Sequence, residues 1–204
     1  MTADRNKGIT NITYNYLNLP QVITFTSNRI ITFIYDASGA KLRKIINDNG
    51  TMTNYDYVNG VEYTNSVLKR IAHTEGAVIV TTVGTTTTGT HEYVLRDHLG
   101  NTRVSFNDPN NDGTINNVVT DITQLNSYYP FGLNMRSNVN GAAGNNKYQY
   151  NGKEWNDDFS LGWNDYGARF YDPAIARWSV IDPMAERYTK IGRASCRERV
   201  CLAV

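Results

Sequence analysis

Short apolar runs separated by turn-forming residues recur through the first half of the chain. Val22–Phe25 and Ile30–Ile34 combine β-branched and aromatic residues, and Asn, Ser or Gly residues stand between such runs. β-branched and aromatic residues are favoured in strands, whereas Asn and Gly are favoured in tight turns. The pattern therefore predicts antiparallel hairpins and an all-β fold class.

A weak internal repeat accompanies these strands. Tyr14-Asn15, Tyr35-Asp36 and Tyr55-Asp56 each place an aromatic residue and a small acid or amide shortly before a turn residue, at intervals of about 20 residues. Hairpin units of this size cannot bury an apolar face alone and must stack on their neighbours. An ordinary antiparallel sheet with Asn and Gly turns predicts nearly the same spacing, so the repeat alone leaves both interpretations open.

Further strands are predicted beyond residue 70. Ala72–Val83 alternates, and the threonine run Thr85–Thr90, interrupted by Gly89, predicts an exposed strand end or a loose hairpin. Glu92–Arg96 and Thr102–Phe106 flank a turn. Two more segments complete this part, namely an alternating strand at Val118–Leu125 and an Asn/Gly/Ala linker at Asn138–Asn146.

Several short sequence motifs of this chain resemble those of a known protein family. They are DHLGNTR at 97–103, YYPFG at 128–132, YNGKE at 150–154, LGWNDYGARFYDP at 161–173 and ARWSVIDP at 176–183. Together they resemble the RHS repeat-associated core of YD-repeat proteins, with small departures such as inverted Leu161-Gly162 and Ala176 in place of Gly. The resemblance implies stacked antiparallel β-hairpins of a YD-repeat shell with an aromatic-rich terminal plug.

The same resemblance implies an organisation and a role. Residues 1–90 are expected to be degenerate YD-repeat hairpins, 91–190 the RHS core, and 191–204 a non-native tail. The implied function is a structural module that encapsulates and helps release a C-terminal toxin or effector, here lacking that cargo. Its implied partners are the cargo and neighbouring YD repeats, and the parent protein is expected to be secreted or delivered to a cell surface.

The tail changes how charge and cysteines are interpreted. From Ile191 onward the sequence resembles a translated sequencing adapter, and both Cys196 and Cys201 lie in it. Without its three Arg and one Glu, the net charge of +1 becomes −1. We therefore expect no nucleic-acid partner. No apolar run is long enough for a membrane span, and the N-terminus shows no secretion signal.

One loop resembles the first half of a calcium site. Asp108, Asn110 and Asp112 occupy positions 1, 3 and 5, and Gly113 occupies position 6. Position 12 is Val119, where a bidentate Glu is required, although Asp121 on the next strand could supply an oxygen. The sequence predicts no cofactor, and weak Ca²⁺ binding at this loop stays open as the alternative.

Two acids are candidates for catalysis through the family resemblance alone. Some RHS cores resemble an aspartyl autoprotease, which needs two carboxylates of different pKa. Asp182 matches a carboxylate of that motif, and Asp172 is the second candidate. The downstream cleavage segment has no counterpart here, so the chain is expected not to be an enzyme. We also expect Arg169 and Arg177 to pair with nearby carboxylates.

A carbohydrate- or cell-surface-binding module is the third interpretation. Trp155, Trp163 and Trp178 could stack on sugar rings if they are exposed. Packing in the core is the interpretation that we favour for these side chains.

Overall fold

The computed structural model describes residues 1–110, 112–115, 120–135, 146–182 and 185. Within these ranges the regular elements are strands and two short 3₁₀ turns, without an α-helix. The first eleven strands are β1 Ile9–Tyr14, β2 Pro20–Phe25, β3 Arg29–Tyr35, β4 Lys41–Asp48, β5 Thr51–Val58, β6 Val61–Thr64, β7 Val67–His73, β8 Gly76–Val83, β9 Thr86–Arg96, β10 Thr102–Asn107 and β11 Ile122–Leu125. The remaining strands are β12 Ser127–Tyr128, β13 Asn134–Met135, β14 Glu154–Asn156, β15 Trp163–Asp165, β16 Phe170–Asp172 and β17 Arg177–Trp178, and the 3₁₀ turns are Tyr150–Gly152 and Asp158–Ser160.

Strands β1 to β11 form one antiparallel sheet in which every strand pairs with the strand before it in sequence. Two-residue loops with positive φ at both positions, such as Asn49-Gly50 and Asn59-Gly60, join several of these strands. Such loops match the right-handed twist of the strands that they connect. The predicted all-β fold of stacked antiparallel hairpins is confirmed.

Several boundaries differ from the sequence-based expectations. Strand β11 begins at Ile122, and residues 118 and 119 of the predicted strand lie outside the described ranges. The predicted linker at 138–146 is described only at Asn146, which is buried. Strand β9 spans residue 90, and the division between repeat and core segments there stays a prediction. The predicted non-native tail, 191–204, lies outside the described residues.

Strands β8 and β9 form a hairpin whose tip extends beyond the residues that pair with the flanking strands β7 and β10. The two strands pair from Gly76 with Tyr93 to Val83 with Thr86. Strand β7 pairs with β8 only as far as Ile79, and β10 pairs with β9 only from Glu92 onward. The threonine run therefore forms a hairpin, as one of the two expectations had it, and this hairpin extends beyond the sheet as a two-stranded ribbon.

The hydrophobic core lies between one face of β1–β3 and the four-stranded sheet β14–β17. The first sheet contributes Ile9, Ile12, Ile23, Phe25, Ile31 and Phe33, and the segment that contains β14–β17 contributes Leu161, Trp163 and Phe170. Burial of this apolar area supplies the main favourable free energy of folding. We call residues 146–182 the terminal module, and we call the sheet face that it covers the inner face.

No helix among the described residues has the length and apolar character needed to cross a membrane.

Candidate functional site between the sheet and the terminal module

The inner face of the sheet changes from apolar to charged between β3 and β5. Phe33 on β3 pairs with Lys44 on β4, and Lys44 pairs with Tyr55 on β5. Paired residues project on the same side of a sheet, so Lys44 follows Phe33 onto the buried face. Its side chain is 2% exposed. The terminal module must therefore supply opposite charges at this position.

The first charge cluster is centred on Lys41. Its Nζ lies 2.5 Å from Glu154 Oε2 and 2.6 Å from Asp165 Oδ2. Glu154 on β14 pairs with Asp165 on β15, which explains why both carboxylates reach one ammonium group. The hydroxyl of Tyr57 donates to Glu154 Oε1 at 2.8 Å. All three charged side chains are less than 10% exposed, so the cluster is a buried ion-pair network.

Lys44 makes the second link to the terminal module. Its Nζ lies 2.7 Å from Asp158 Oδ2 and donates to Asn156 Oδ1 at 3.2 Å. The ammonium group also lies 4.7 Å from the centre of the Tyr55 ring, where a cation is attracted to the aromatic face. The 3₁₀ turn at Asp158–Ser160 thus presents the carboxylate that neutralises a lysine 114 residues earlier in the chain.

Glu62 on β6 anchors the N-terminal end of the terminal module. It accepts hydrogen bonds from Arg70 Nη1 and from the hydroxyl of Tyr148, each at 2.9 Å. The guanidinium of Arg70 stacks over the Tyr148 ring at 4.3 Å, and Lys147 Nζ lies 3.9 Å from Glu62. Charge-assisted contacts therefore hold both the N-terminal end and the middle of the terminal module to the sheet.

Burial and charge pairing shift the pKa values in opposite directions at this site. Burial alone raises the pKa of Glu154, but Lys41, Lys44 and Lys147 lower it from 4.5 to about 2. Burial alone lowers the pKa of Lys41, but Glu154 and Asp165 raise it above its ordinary value. Burial also raises the pKa of the Tyr57 hydroxyl, and the neighbouring Glu154 raises it further. The lysine and the glutamate are thus charged at neutral pH.

These shifts predict an acid-sensitive contribution of Glu154 to stability. The folded-state pKa of Glu154 lies below its ordinary value, so the carboxylate stabilises the fold above pH 4.5, and this contribution is lost as the pH falls toward 2. We expect the difference in unfolding free energy between the wild type and Glu154→Gln to shrink over this interval. Urea denaturation at a series of pH values measures it. A difference that stays constant from pH 6 to pH 2.5 would contradict the assignment.

The two acids proposed for proteolysis lie in separate ion pairs. Asp172 is buried, lies 2.6 Å from Lys7 Nζ, and accepts a hydrogen bond from Trp163 Nε1 at 3.2 Å. Asp182 is paired with Arg169 Nη2 at 3.0 Å, which agrees with the expected pairing of Arg169. A catalytic carboxylate pair shares one site and one water. In this structure each acid instead faces its own cation, and their role in proteolysis stays a prediction.

The calcium-like loop is closed by its own hydrogen bonds. Asp108 Oδ2 accepts from the amide of Gly113 at 2.9 Å, and Asp112 Oδ1 accepts from the amide of Thr114 at 2.7 Å. The Nδ2 of Asn110 donates to Asp112 Oδ2 at 2.7 Å. Position 12, Val119, lies outside the described residues. Among the residues that the structure does describe, no group of three or more His, Cys, Asp or Glu side chains is placed to hold a metal ion.

We expect Ca²⁺ to produce no saturable heat change when it is titrated into the protein. The loop oxygens already accept hydrogen bonds from the loop itself, and Val119 supplies no bidentate carboxylate. Isothermal titration calorimetry at millimolar Ca²⁺ measures this. An isotherm that saturates in the wild type and disappears in Asp108→Asn would show instead that the loop binds calcium.

Comparison with known proteins bears on the fold alone. No protein-family model and no curated protein matches the chain. Among solved structures, the crystal structures of TcdB2-TccC3-TEV, TcdB2-TccC3-Cdc42 and TcdB2-TccC3 are similar, with TM-scores of 0.60, 0.59 and 0.59. Each is 17% identical to this chain and covers 84% of it, whereas the chain spans only 9% of theirs. At this identity the likeness shows a shared fold, and the relation to RHS proteins that it supports is one of fold alone.

Within this RHS-like fold, the three tryptophans pack against protein groups. Trp163 is fully buried and contacts Phe170, with 6.0 Å between ring centres. Trp178 is half-buried and packs against Tyr166 and Tyr171, each at 5.1 Å. The ring of Trp155, also half-buried, lies beside Gly162. Trp163 is therefore not available to stack on a sugar.

Sequence-based reasoning missed two parts of this site. It overlooked the inward charges of Lys44 and Glu62, although the alternation that places Ile46 inside also places Lys44 inside. It also overlooked a buried amide cluster, in which Asn146 bonds to Gln124 and Ser105 and holds the terminal module to β10 and β11. No local pattern distinguishes these amides from the turn-forming Asn residues elsewhere in the chain.

Proposed function

We propose that this chain is a structural wall segment of an RHS/YD-repeat protein, in which the wall encapsulates a C-terminal toxin or effector and helps to release it. The observation that carries the proposal is the architecture. Eleven antiparallel strands follow one another in chain order, and the terminal module covers one face of the sheet. A sheet built in this way extends by adding further hairpins at its ends, as a repeat shell requires.

The similar structures support this role. Their chains are far longer, so a segment like this one forms a small part of a large assembly in TcdB2-TccC3. Two of the three also contain a third component, TEV or Cdc42, combined with the same TcdB2-TccC3 pair. A wall that retains its fold while the added component changes is what we expect of a container.

The contacts of the terminal module support a structural rather than an enzymatic role. Buried ion pairs at Lys41 and Lys44 and the apolar core around Trp163 fix the module to the inner face. In a closed shell this arrangement would seal the wall beside the cargo. We therefore propose that the aromatic module acts as a plug, that the chain is not an enzyme, and that its partners are neighbouring YD repeats and the cargo.

The proposed role also implies a destination. A protein that carries an effector in a sealed container acts outside the cell that makes it, so we propose that the parent protein is secreted or delivered to a cell surface. Fractionation of the producing cells, followed by detection of the wall segment in the medium and on the cell surface, tests this part independently of the shell itself.

Protease protection tests encapsulation. The complete reading frame that contains this segment is expressed, and a broad-specificity protease is added to the native protein. We expect the region C-terminal to the wall to survive while exposed loops are cut, and to be digested once the wall is unfolded with urea. Equal digestion of that region in the native and unfolded protein would overturn the proposal.

A variant in the terminal module provides the matched comparison. Trp163→Ala weakens the contact between module and wall, so we expect earlier digestion of the C-terminal region than in the wild type. Asp48→Asn removes an exposed ion pair with Arg29 and should leave protection unchanged. If both variants protect the C-terminal region like the wild type, the module is not the seal.

A further inference from the structure

The ribbon formed by the ends of β8 and β9 leaves two strand edges unpaired in the part of the chain that the structure describes. The stretch Thr86–His91 of β9 lies beyond the last residue that pairs with β10, and Val80–Val83 of β8 lies beyond the last residue that pairs with β7. Residues 81–89 are all exposed. An unpaired strand edge presents a row of hydrogen-bonding groups that another strand can complete.

The outward groups of β9 follow from the hairpin geometry. Val83 and Thr86 flank a two-residue loop, so their backbone groups form hydrogen bonds with each other. Hydrogen-bonded pairs recur at every second residue of an antiparallel hairpin, so the backbone groups of Thr88 and Thr90 also point toward β8. The backbone N–H and C=O groups of Thr87, Gly89 and His91 consequently point away from β8. The close approach of the Thr82 and Thr87 hydroxyl oxygens, 3.2 Å, agrees with a non-hydrogen-bonded pair at that position.

The composition of the ribbon lacks the usual protection against edge pairing. From Gly76 to Thr90 the sequence contains no charged residue and no proline, and it is rich in Thr and Val. Natural proteins block exposed edges with lysine, proline or a bulge. A segment of high β-propensity without charges or proline is instead suited to pair with another strand. Two copies of this edge would meet without electrostatic repulsion.

We propose that the β9 edge of the ribbon is an interface with a second copy of this chain. We place the two chains antiparallel, with a two-fold axis that passes between their Gly89 residues. Gly89 of one chain then faces Gly89 of the second chain, and Thr87 of each chain faces His91 of the other. The three residues with outward backbone groups then complete each other's hydrogen bonds, and the absence of a side chain at Gly89 keeps the axis uncrowded. The contact is self-complementary and therefore closes as a dimer.

Two substitutions at Thr87 test the interface. Thr87→Pro removes an outward N–H that the ribbon itself does not use, and Thr87→Lys places a charge on the edge. The matched control is Thr51→Lys, which adds the same charge at an exposed strand position of β5, outside the ribbon. Circular dichroism confirms that each variant keeps its strand content.

Analytical ultracentrifugation of the 204-residue chain, with a thiol reductant so that Cys196 and Cys201 cannot link chains, gives the dimer dissociation constant. We expect a concentration-dependent dimer in the wild type and in Thr51→Lys, and dissociation constants at least tenfold higher in both Thr87 variants. Hydrogen exchange should show slower exchange at Thr87, Gly89 and His91 as the dimer forms.

Four results would overturn the inference. Three of them are a wild type that stays monomeric up to millimolar concentration, Thr87 variants that associate like the wild type, and protection of β1 or β11 in place of β9. A monomer whose β9 edge becomes protected only when an unrelated polypeptide is added would assign the edge to a different partner and would overturn it as well.

Discussion

We expect Trp163→Ala to lower the free energy of unfolding by about 3 to 5 kcal/mol, the usual cost of emptying a large aromatic site in a core. The side chain is completely buried between the sheet and β16, and its indole N–H donates to Asp172. The substitution therefore creates a cavity and also removes one hydrogen-bond donor from a buried carboxylate. Urea denaturation followed by tryptophan fluorescence and circular dichroism measures the loss.

Trp178→Ala is the matched control for this experiment. Trp178 belongs to the same module but is half-buried at its edge, where it packs on Tyr166 and Tyr171. We expect it to cost about half as much or less, because less apolar area is lost from the interior. Similar losses for the two variants would show that Trp163 is not the centre of the contact between module and sheet.

Glu154→Gln is expected to cost about 3 to 5 kcal/mol at pH 7, since it breaks a buried ion-pair network while Lys41 stays in place. Lys41 then retains Asp165 as its carboxylate partner, and the hydrogen bond from Tyr57 loses its charged acceptor. Chemical denaturation of the wild type, Glu154→Gln, Lys41→Met and the double variant measures the effect. We expect the two single losses together to exceed the loss of the double variant by at least about 1 kcal/mol.

An exposed ion pair is the control for this cycle. Arg29 and Asp48 lie 3.1 Å apart with nearly half of each side chain exposed. Asp48→Asn should change the unfolding free energy by less than about 1 kcal/mol, because water already solvates both charges. If Glu154→Gln costs no more than Asp48→Asn, the charges between sheet and module do not hold the module in place.

The strands were predictable from sequence because their signals are local. Val22–Phe25 and Ile30–Ile34 lie within β2 and β3, and the Asn-Gly steps lie at tight turns. Each hairpin carries its own alternation and its own turn residues, so no distant information is needed to recognise it. In the terminal module, Asn151-Gly152 also has positive φ at both positions and forms a tight turn flanked by an antiparallel bridge between Tyr148 and Glu154. Contacts with Asn101 and Leu99 hold Asn151 in place there.

The interface charges could not be predicted in the same way. A lysine in a strand usually points to water, and whether Lys44 is buried depends on Asp158 and Asn156, more than 110 residues later. The same holds for Lys7, whose partner Asp172 is contributed by β16. The surroundings of the candidate acid Asp172 are thus set by a cation from the opposite end of the chain, whereas Asp182 meets Arg169 within the same module.

The order of the strands also has a consequence for biosynthesis. Because each strand from β2 to β11 pairs with the strand before it in sequence, each new strand can add to the growing sheet as it leaves the ribosome. The loops up to β10 are short, so little loop entropy is lost. Lys41 and Lys44, by contrast, must wait until more than 110 further residues have been translated before their carboxylates arrive. Until then the inner face of the nascent sheet carries lysines without their carboxylate partners. These charges disfavour early association of that face with apolar surfaces of other chains.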